Sequence, residues 1–514
     1  MSVQIFLEGK LLGIEEFLFA PAGDYPDQVF LGRSHWISLL SEVLPRALLS
    51  ELGLAKILLG SSGGGQFLLV LPEESRTAAD NFLEAAAGDI GRLSGGALKL
   101  LWSVTENLGD WSDVRRRLQE ILDRRRGAPL AGTPWEVPEF DPAPAHQYFA
   151  GLAAKLRDAD SVGWSPDYPG GPLIGEGKHT FALTASPEAI PLARTAALSE
   201  DGFHPASTAE LAERASGLQT WGVLRGDADN FGIRIRRAQS IEEHIQLSVL
   251  YKQFFAGEME VICSMPEYWR KVTVIYSGGD DFAVYGAWDA LLGLAGEMER
   301  LFHRFAEQNL ADFPGAEGKT ISMALALAPA ADASLGAVFE EAGRRLESAK
   351  SSDKDCIWLL GRTLEWKQFA EAGALRDSLM RMIAEFGCSP QYLRDLCGIY
   401  RESQSRLSRR QARKSGGERP WRYHRRIRRI LSGPGAPSAP GGAAHSFNWA
   451  GKAEPAAPVS PRQARGDFQK ARAALIADLI GRSAVTVKLR PAGRVALEWA
   501  RLSAEEAASP MTAG

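Results

Sequence analysis

Residues 272–286 read VTVIYSGGDDFAVYG, a pattern that predicts two apolar strands joined by a Gly-Gly turn. Both strand segments are rich in β-branched and aromatic residues, which favour strands, and glycine permits the positive φ that a tight turn requires. Two adjacent carboxylates, Asp280 and Asp281, stand at the tip of this hairpin. Because neighbouring like charges repel each other, we expect solvent or a cation to relieve them.

The hairpin has a counterpart near the start of the chain. Residues 56–72 read KILLGSSGGGQFLLVLP, in which the SGG at 62–64 aligns with the SGG at 277–279. Around both hairpins we predict a helix before, a helix after, then a strand and a further helix. The predicted bounds are 36–52, 77–93, 98–105 and 110–125 for the first copy, and 242–255, 289–309, 320–328 and 335–350 for the second. This alternation predicts an α+β fold that contains a split β-α-β sheet of the ferredoxin-like kind twice.

A second acidic segment precedes the SGGDD hairpin. Residues 222–232 read GVLRGDADNFG and predict a short strand that carries Asp227, followed by a turn. If this strand lies beside the hairpin, Asp227 and the Ala228 carbonyl could join Asp280 or Asp281 in holding two Mg²⁺ or Mn²⁺ ions. Two such ions can activate a hydroxyl and neutralise phosphate charge. The alternative is that these aspartates cap loops or face solvent.

Two other polar residues could belong to the same site. Asp229 follows Asp227 by two positions, so in a strand both side chains project to the same face. Lys350 ends a predicted helix and could reach the β- and γ-phosphates of a bound nucleotide as a point charge. A lysine in the last turn of a helix is also favourable by itself, which is the alternative interpretation.

The composition is that of a globular protein, with 514 residues of which 45% are hydrophobic and 24% charged. This length suits three or four domains. No apolar run approaches the roughly 18–20 residues of a membrane span, and the N-terminus lacks the pattern of an export signal. The four cysteines are too scattered for a disulfide framework. These features predict a cytoplasmic protein without a membrane partner.

Charge is distributed unevenly along the chain. Residues 401–514 contain 22 basic and 8 acidic residues, whereas the first 400 contain 37 basic and 55 acidic ones. Such a basic segment is expected to meet a polyanion or an acidic partner. Arginine binds phosphate in a bidentate manner and stacks on bases, so RNA contact is one interpretation; a solvated helix face or a docking surface for an acidic small subunit is the other. The candidate contact residues are Arg422, Arg425, Arg426, Arg428 and Arg429.

With these motifs, the chain resembles the large subunit of type III CRISPR effector complexes, the palm/cyclase subunit of the Cas10 family in its Csm-type branch. Other supporting stretches are LGIEEFLF at 12–19, FLGRSHWISLLSEVL at 30–44 and ERPWRYHRRI at 418–427. The resemblance implies conversion of ATP to cyclic oligoadenylates once the complex has bound target RNA. It also implies a crRNA-containing assembly with backbone, small and crRNA-end-binding subunits.

The resemblance implies an order of domains and a set of site residues. We expect a degenerate palm domain over residues 1–132, a small linker domain over 133–219, a catalytic palm domain over 220–365 and a basic helical C-terminal domain over 366–514. The composition of residues 432–466 predicts a flexible loop within the last of these. By resemblance, Asp227, Ala228, Asp280 and Asp281 would be metal ligands or catalytic groups; Ser277, Gly278 and Gly279 would contact one ATP, and Ser62, Gly63 and Gly64 a second.

Two departures from the family are expected to matter. No His-Asp dipeptide occurs in the sequence, so the HD nuclease domain of many relatives is not expected and any DNase would be a separate protein. Residues 133–219 contain no cysteine, so we expect no zinc between the palms and a small domain held by its own core. The residues expected in that core are Trp135, Tyr148, Phe149, Leu152, Phe181 and Leu183.

Three functions remain open from the sequence. The first is an active cyclic-oligoadenylate synthetase within an RNA-guided complex, which the intact Asp227, Asp280 and Asp281 favour. The second is a catalytically silent structural subunit that recognises target RNA, to which the missing nuclease motif lends some support. The third is a free-standing enzyme like diguanylate cyclases; the tandem copies argue against it, because those enzymes pair two active half-sites by dimerisation.

Overall fold

A computed structural model shows two compact units. The first comprises residues 1–215 and 219–356, and the second comprises residues 216–218 and 357–514. In the part of the chain that is described, no helix is both long and apolar enough to cross a membrane. The described residues are 4–18, 27–127, 142–184, 186, 188–330, 332–352, 354–410, 420–431, 461–480 and 490–505.

The first copy of the repeat forms an antiparallel sheet with helices. Its elements are β1 (Gln4–Leu12), α1 (Ile14–Leu18), α2 (Asp27–Glu51), β2 (Leu59–Gly63), β3 (Gln66–Pro72), α3 (Arg76–Leu93), β4 (Lys99–Glu106) and α4 (Trp111–Gly127). The strands pair in the order β2-β3-β1-β4. The first strand of the copy therefore lies in the interior of the sheet, beside the third and the fourth, which is the order of a split β-α-β sheet.

The second copy repeats this order. Its elements are β8 (Trp221–Ala228), α7 (Phe231–Arg236), α8 (Ile241–Lys252), a π-helix (Gln253–Glu258), α9 (Met259–Cys263), β9 (Val272–Gly278), β10 (Asp281–Ala287), α10 (Trp288–Asn309), β11 (Ile321–Leu327) and α11 (Leu335–Ser352). The four strands pair in the order β11-β8-β10-β9. The mixed α+β fold and the repeated strand order agree with the duplication predicted from the two SGG hairpins.

A glycine paired with a phenylalanine recurs at the same place in both sheets. Gly226 pairs with Phe282 across β8 and β10, and Gly9 pairs with Phe67 across β1 and β3. A Cβ atom on Gly226 would lie 2.3 Å from the Phe282 ring, and one on Gly9 would lie 2.2 Å from the Phe67 ring. Each glycine thus leaves the space that a buried ring fills, directly behind the glycine turn of its hairpin.

The segment between the copies adds a small sheet and shares the core of the first unit. Its elements are α5 (Pro142–Leu156), β5 (Ser161–Ser165), β6 (Tyr168–Ile174), β7 (His179–Ala182) and α6 (Thr208–Glu213), with strand order β6-β5-β7. The prediction that this segment has a core of its own is wrong, because Phe149 packs 5.6 Å from Phe17 and 5.3 Å from Trp36 between ring centroids. Leu152, Phe181 and Leu183 belong to the same continuous core, Tyr148 packs at its margin, and Trp135 lies outside the described residues.

The second unit is mainly helical. Its elements are β12 (Cys356–Leu359), which begins in the last residue of the first unit, β13 (Arg362–Glu365), α12 (Trp366–Ala384), α13 (Gln391–Arg410), α14 (Pro420–Ile430), α15 (Pro461–Ile480) and α16 (Pro491–Ala504). Helix α16 packs against α12, where Trp499 stacks on Phe369 at a centroid distance of 5.8 Å.

One boundary of the flexible loop predicted over residues 432–466 needs correction. Residues 432–460 lie outside the described part of the chain, but residues 461–466 are the start of α15. Proline suits the first position of a helix because its φ is already helical and its missing N–H would have no intrahelical partner. Pro461 was therefore a helix start that the low-complexity composition around it concealed.

Candidate nucleotide-binding and catalytic site

The glycine turns of the two copies face each other. A Cβ atom on Gly279 would lie 3.8 Å from the Gly64 Cα, and one on Gly63 would lie 3.7 Å from the Gly279 backbone nitrogen. Gly63, Gly64 and Gly279 all have positive φ, which glycine adopts without strain. The structure thus brings together the two sets of residues that the sequence assigned to separate ATP molecules. Neither turn carries side-chain bulk that would keep phosphates away.

The acidic residues of the second copy converge at one end of its sheet. Asp227 is the direct cross-strand partner of Asp281, and the backbone N–H of Ala228 donates to the Asp280 carbonyl oxygen at 2.8 Å. Burial and the neighbouring carboxylates raise the pKa of Asp280 well above its usual range. Burial raises the pKa of Asp281 to about 6, and that of Asp227 also lies above its usual value. Three partly buried carboxylates in this arrangement favour a cation.

Lys350 supplies one positive charge at this site. Its Nζ lies 2.5 Å from Asp227 Oδ1, although the sequence assigned Lys350 to the phosphates of ATP. Burial opposes its charge, but the Asp227 carboxylate raises the pKa of Lys350 above its usual value. The nearby Lys354 instead donates to the side-chain oxygen of Asn230.

Two further residues at this site were missed by the sequence analysis. The Tyr276 hydroxyl donates to Asp281 Oδ2 at 2.9 Å, and an Arg225 nitrogen lies 3.4 Å from the Tyr276 oxygen. The Arg225 guanidinium also lies 4.3 Å from the centroid of the Phe339 ring. The alternation of side chains along β8 was the available signal, because it places Arg225 on the same face as Asp227.

Asp229 stabilises the end of β8 beside the acidic cluster. Its carboxylate accepts hydrogen bonds from the Thr320 hydroxyl at 2.8 Å, the Ser322 hydroxyl at 2.8 Å and the Asp355 N–H at 2.9 Å. Its side chain is buried, with 1% of the residue exposed. Ser322 is the cross-strand partner of Asp227, so Asp229 joins the end of β8 to β11 immediately beside the acidic cluster.

The first copy has lost this acidic set. In its β1–β3 ladder, Lys10 pairs with Gln66, next to the pair of Gly9 and Phe67. Asp227 and Asp281 form the equivalent pair in the second copy. Gly65 stands at the position of Asp280. Oxygen donors suited to a divalent cation are therefore concentrated in the second copy.

The predicted serines make different contacts. The Ser62 hydroxyl donates to Glu42 Oε2 at 3.0 Å, whereas the Ser277 hydroxyl donates to the Phe255 carbonyl oxygen. Both hydroxyls are thus occupied by protein acceptors, and Ser277 is buried.

Two cavities are lined by both glycine turns, and a third lies beside the acidic cluster. One of about 190 Å³ is lined by the Gly63–Gly65 turn together with Tyr276, Gly279 and Asp281. A second, of about 620 Å³, lies between the two copies and is lined by Ser62, Gln66 and Trp111 of the first and by Gly279 and Asp280 of the second, among others. A third, of about 430 Å³, opens beside Asp227, Asp281, Arg225 and α11. Space for small polar ligands is therefore present on both sides of the paired turns.

The acidic cluster suits a divalent cation in its chemistry but is not arranged around one. Among the described residues, no three His, Cys, Asp or Glu side chains are grouped as a metal site would require. Asp227 and Asp281 nevertheless offer carboxylate oxygens from facing ladder positions, and the ammonium of Lys350 already takes a place at Asp227. Magnesium prefers such oxygen ligands, so Asp227, Ala228, Asp280 and Asp281 remain the predicted ligands.

The predicted RNA-contact arginines lie on α14 of the second unit. Ile427 is buried and fixes the inward face of the helix. Arg425, Arg428 and Arg429 are exposed, Arg426 is half-buried, and the side chain of Arg422 lies outside the described part of the chain.

Two known protein-family models match separate parts of the chain. The family model described as Cas10/Cmr2, second palm domain, matches residues 220–358, which contain the acidic cluster. The model described as Csm1 subunit domain B matches residues 3–108, which contain the first glycine turn. The chain is Cas10-like, of the Csm1 type. The two family matches coincide with the two copies of the repeat in the Cas10-like chain.

Curated relatives of the Cas10-like chain carry the description CRISPR system single-strand-specific deoxyribonuclease Cas10/Csm1 (subtype III-A). The one from Thermococcus onnurineus is 23% identical over 460 residues, covering 71% of this chain and 57% of that protein. The one from Enterococcus italicus is 28% identical over 170 residues, covering 32% of this chain and 21% of that protein. The chain thus spans less than two thirds of the length of these relatives.

Solved structures share the fold of the Cas10-like chain. A Csm1-Csm4 subcomplex of the type III-A CRISPR-Csm interference complex has a TM-score of 0.59 at 18% identity, covering 72% of this chain and 58% of that chain. A Csm1-Csm4 cassette in complex with cA4 has a TM-score of 0.59 at 19% identity, covering 73% and 58%. A cassette in complex with one ATP has a TM-score of 0.58 at 18% identity, covering 72% and 58%.

Proposed function

We propose that this chain converts ATP to cyclic oligoadenylates as the large subunit of an RNA-guided type III-A CRISPR complex, when target RNA is bound. The observation that carries the proposal is the placement of Asp227 opposite Asp281 at the point where the glycine turns of the two copies meet. The similarity to cassettes solved with ATP and with cA4 supports the choice of substrate and product.

The proposed reaction joins two ATP molecules held on opposite sides of the paired turns. The 3′-hydroxyl oxygen of one ATP attacks the α-phosphorus of the other, forming a phosphodiester bond and releasing pyrophosphate and the hydroxyl proton to solvent. The same attack by the 3′ end of the growing oligomer on its own 5′ α-phosphorus releases a last pyrophosphate and closes the ring. Two Mg²⁺ or Mn²⁺ ions held by Asp227, Ala228, Asp280 and Asp281 would supply charge neutralisation there. Tyr276 orients the Asp281 carboxylate through its hydrogen bond, and the glycine turns of residues 63–64 and 278–279 allow phosphates to approach the backbone.

The finer domain assignment belongs to the same proposal. We assign residues 1–132 to a degenerate palm domain, 133–219 to a linker domain without zinc, 220–365 to the catalytic palm domain and 366–514 to a helical C-terminal domain. The repeated strand order and the two family matches support the palm assignments. The deoxyribonuclease activity in the names of the relatives is not proposed for these 514 residues, which contain no His-Asp dipeptide.

The proposal is tested by incubating the purified complex with ATP or GTP and with Mg²⁺ or Mn²⁺, with and without target RNA. Mass spectrometry of the products should show cyclic oligomers of AMP only when ATP and target RNA are both present. Cyclic dinucleotides from GTP would indicate an enzyme of the diguanylate-cyclase kind instead. A complex that binds target RNA but leaves both nucleotides unchanged would indicate the silent structural subunit.

Replacing Lys350 with methionine should lower the Mg²⁺ requirement and raise the KM for ATP. The ammonium pairs with Asp227, so its removal should lower the Mg²⁺ concentration needed for half-maximal activity. If Lys350 turns to the phosphates once a cation takes its place, the KM for ATP should rise about tenfold, as expected for one charge-assisted contact. Lys354→Met, whose Nζ contacts Asn230, is the matched control. If the activity of the variant depends on Mg²⁺ and on ATP as before, Lys350 does not act at the site.

Reversing the charge of the α14 arginines should weaken target-RNA binding. We propose that these arginines contact target RNA in a complex that also contains the crRNA and the backbone, small and crRNA-end-binding subunits. The residues are Arg422, Arg425, Arg426, Arg428 and Arg429. Changing Arg425, Arg426, Arg428 and Arg429 to glutamate should lower target-RNA affinity at least tenfold and flatten its salt dependence. Arg300→Glu with Arg304→Glu, on the exposed side of α10, is the control. If the complex fails to assemble while RNA affinity persists, α14 contacts an acidic subunit. If assembly and RNA affinity are both unchanged, α14 contacts neither RNA nor an acidic subunit.

A further inference from the structure

A buried group of charges lies beside the first glycine turn and was not found from the sequence. Glu42 Oε2 accepts hydrogen bonds from Arg46 at 2.7 Å, from Lys252 at 2.5 Å and from Ser62 at 3.0 Å. Lys252 Nζ lies 2.9 Å from the Ser62 hydroxyl oxygen as well. We call these four residues the Lys252 cluster. It joins α2 and β2 of the first copy to the end of α8 in the second.

The Lys252 cluster contains one more positive charge than negative. Two cations share a single carboxylate oxygen, and in the part of the chain that the structure describes, neither Arg46 nor Lys252 is paired with another acidic side chain. All three charged side chains are largely buried, at 5% exposure for Glu42, 13% for Lys252 and 17% for Arg46. An uncompensated charge away from water is unfavourable, so the cluster is suited to an anion.

The position of Lys252 gives an anion access to the cluster. Lys252 lines both the cavity of about 190 Å³ and the cavity of about 620 Å³, together with Gly63 and Gly279. The backbone at Gly63 has no Cβ that would obstruct this corner, and its φ is +130°. A group that enters either cavity at the glycine turn therefore meets the Lys252 ammonium.

The charges of the two copies are complementary at equivalent places. The second copy has Asp227, Asp280 and Asp281 for a cation, whereas the first copy has lost these carboxylates and has the Lys252 cluster beside its turn. Phosphates need positive charge wherever they bind, and a lysine supplies it as a point charge without a metal.

We propose that the Lys252 cluster binds the triphosphate of the nucleotide on the first copy without a metal ion, where Ser62, Gly63 and Lys252 line the cavity of about 620 Å³. Asp280, a predicted metal ligand, lines the same cavity from the second copy. Lys252 contacts the phosphates directly, while Glu42 and Arg46 position its ammonium. The inference rests on the proposed function in taking the ligand to be a nucleoside triphosphate. It makes the degenerate copy a metal-independent nucleotide site and the second copy a metal-dependent one.

The test measures binding rather than product formation. Calorimetric titration of the intact complex with α,β-methylene-ATP, whose α–β linkage the proposed reaction cannot break, should give two sites in Mg²⁺ and one in EDTA. Lys252→Met removes the excess positive charge and leaves Glu42 paired with Arg46, so it should weaken the EDTA-resistant site at least tenfold. The site that requires Mg²⁺ should keep its affinity in the same variant. Lys271→Met combined with Asp289→Asn breaks an ion pair of 2.8 Å that lines none of the three cavities, and should bind as the unmodified protein does.

Three results would overturn the proposal. One is an unmodified complex that binds the analogue in Mg²⁺ but not in EDTA. Another is a K252M variant that keeps the EDTA-resistant site at full affinity. The third is loss of both sites together, which would make the cluster merely structural. Catalysis does not enter these readouts, so a complex that makes no cyclic product but shows the expected binding would refute the proposed function and leave this inference standing.

Discussion

Replacing Asp280 and Asp281 with asparagine should abolish formation of cyclic oligoadenylate, with a loss in rate of about 10³-fold or more. Both carboxylates are partly buried beside Asp227, and removing their charge removes the main attraction for a divalent cation at the turn. Loss of charge stabilisation at a transferring phosphate typically costs several kcal/mol of barrier, or about tenfold in rate for each 1.4 kcal/mol. Asparagine keeps the size of the side chain, so the hairpin and the Phe282 packing behind it should persist.

The control for this experiment comes from the duplication itself. Lys10 occupies the ladder position in β1 that Asp227 occupies in β8, and it lines none of the three cavities described around the turns. Lys10→Met should therefore leave product formation within about twofold of the unmodified complex. The D280N/D281N complex should also assemble and bind target RNA normally. If it still made product at a tenth of the original rate, the acidic tip would not be the catalytic centre.

The short-range features of this site were predictable from the sequence. A Gly-Gly turn between two apolar strands has few alternative structures, and the spacing of the two acidic segments left room for one helical connection. The structure places Asp227 and Asp281 on adjacent strands, the adjacency on which the sequence argument depended. The predicted helices and strands of both copies also agree with the observed ones, apart from their ends and the π-helix Gln253–Glu258.

The long-range contacts were not predictable in the same way. Lys252 and Glu42 are 210 positions apart, and nothing in the sequence around either residue indicates that the other is its partner. Their contact depends on how the two copies pack, which hydrophobic periodicity does not specify. The shared core around Phe149 was missed for the same reason, since a buried aromatic residue does not reveal which neighbour it packs against. The Tyr276 hydrogen bond was missed because tyrosine before a turn is equally typical of an ordinary strand.

Replacing Asp229 with alanine should destabilise the first unit by about 3–5 kcal/mol. The carboxylate accepts three hydrogen bonds, from Thr320, Ser322 and the backbone of Asp355, and all three would be lost, with the buried Ser322 hydroxyl left without its acceptor. An unsatisfied buried donor costs about 1–3 kcal/mol, and more when its former partner was charged. Hydrogen exchange of the β8 and β11 amides measures the change locally, which matters because a chain of two units need not unfold in one step.

The comparison with a second aspartate separates this effect from a general loss of charge. Asp289 is paired with Lys271 at 2.8 Å near the surface, so Asp289→Ala should cost less than about 1 kcal/mol. Protection in β8 and β11 that is equal in D229A and D289A would contradict the supporting role of Asp229. The sequence GDADNFG presents Asp227 and Asp229 as equivalent, yet Asp227 lines one of the three cavities described, whereas Asp229 lines none of these three and has three protein donors. A carboxylate whose oxygens are already satisfied by protein groups is a poor ligand for a metal ion, so Asp229 acts by fixing the strand end that carries Asp227.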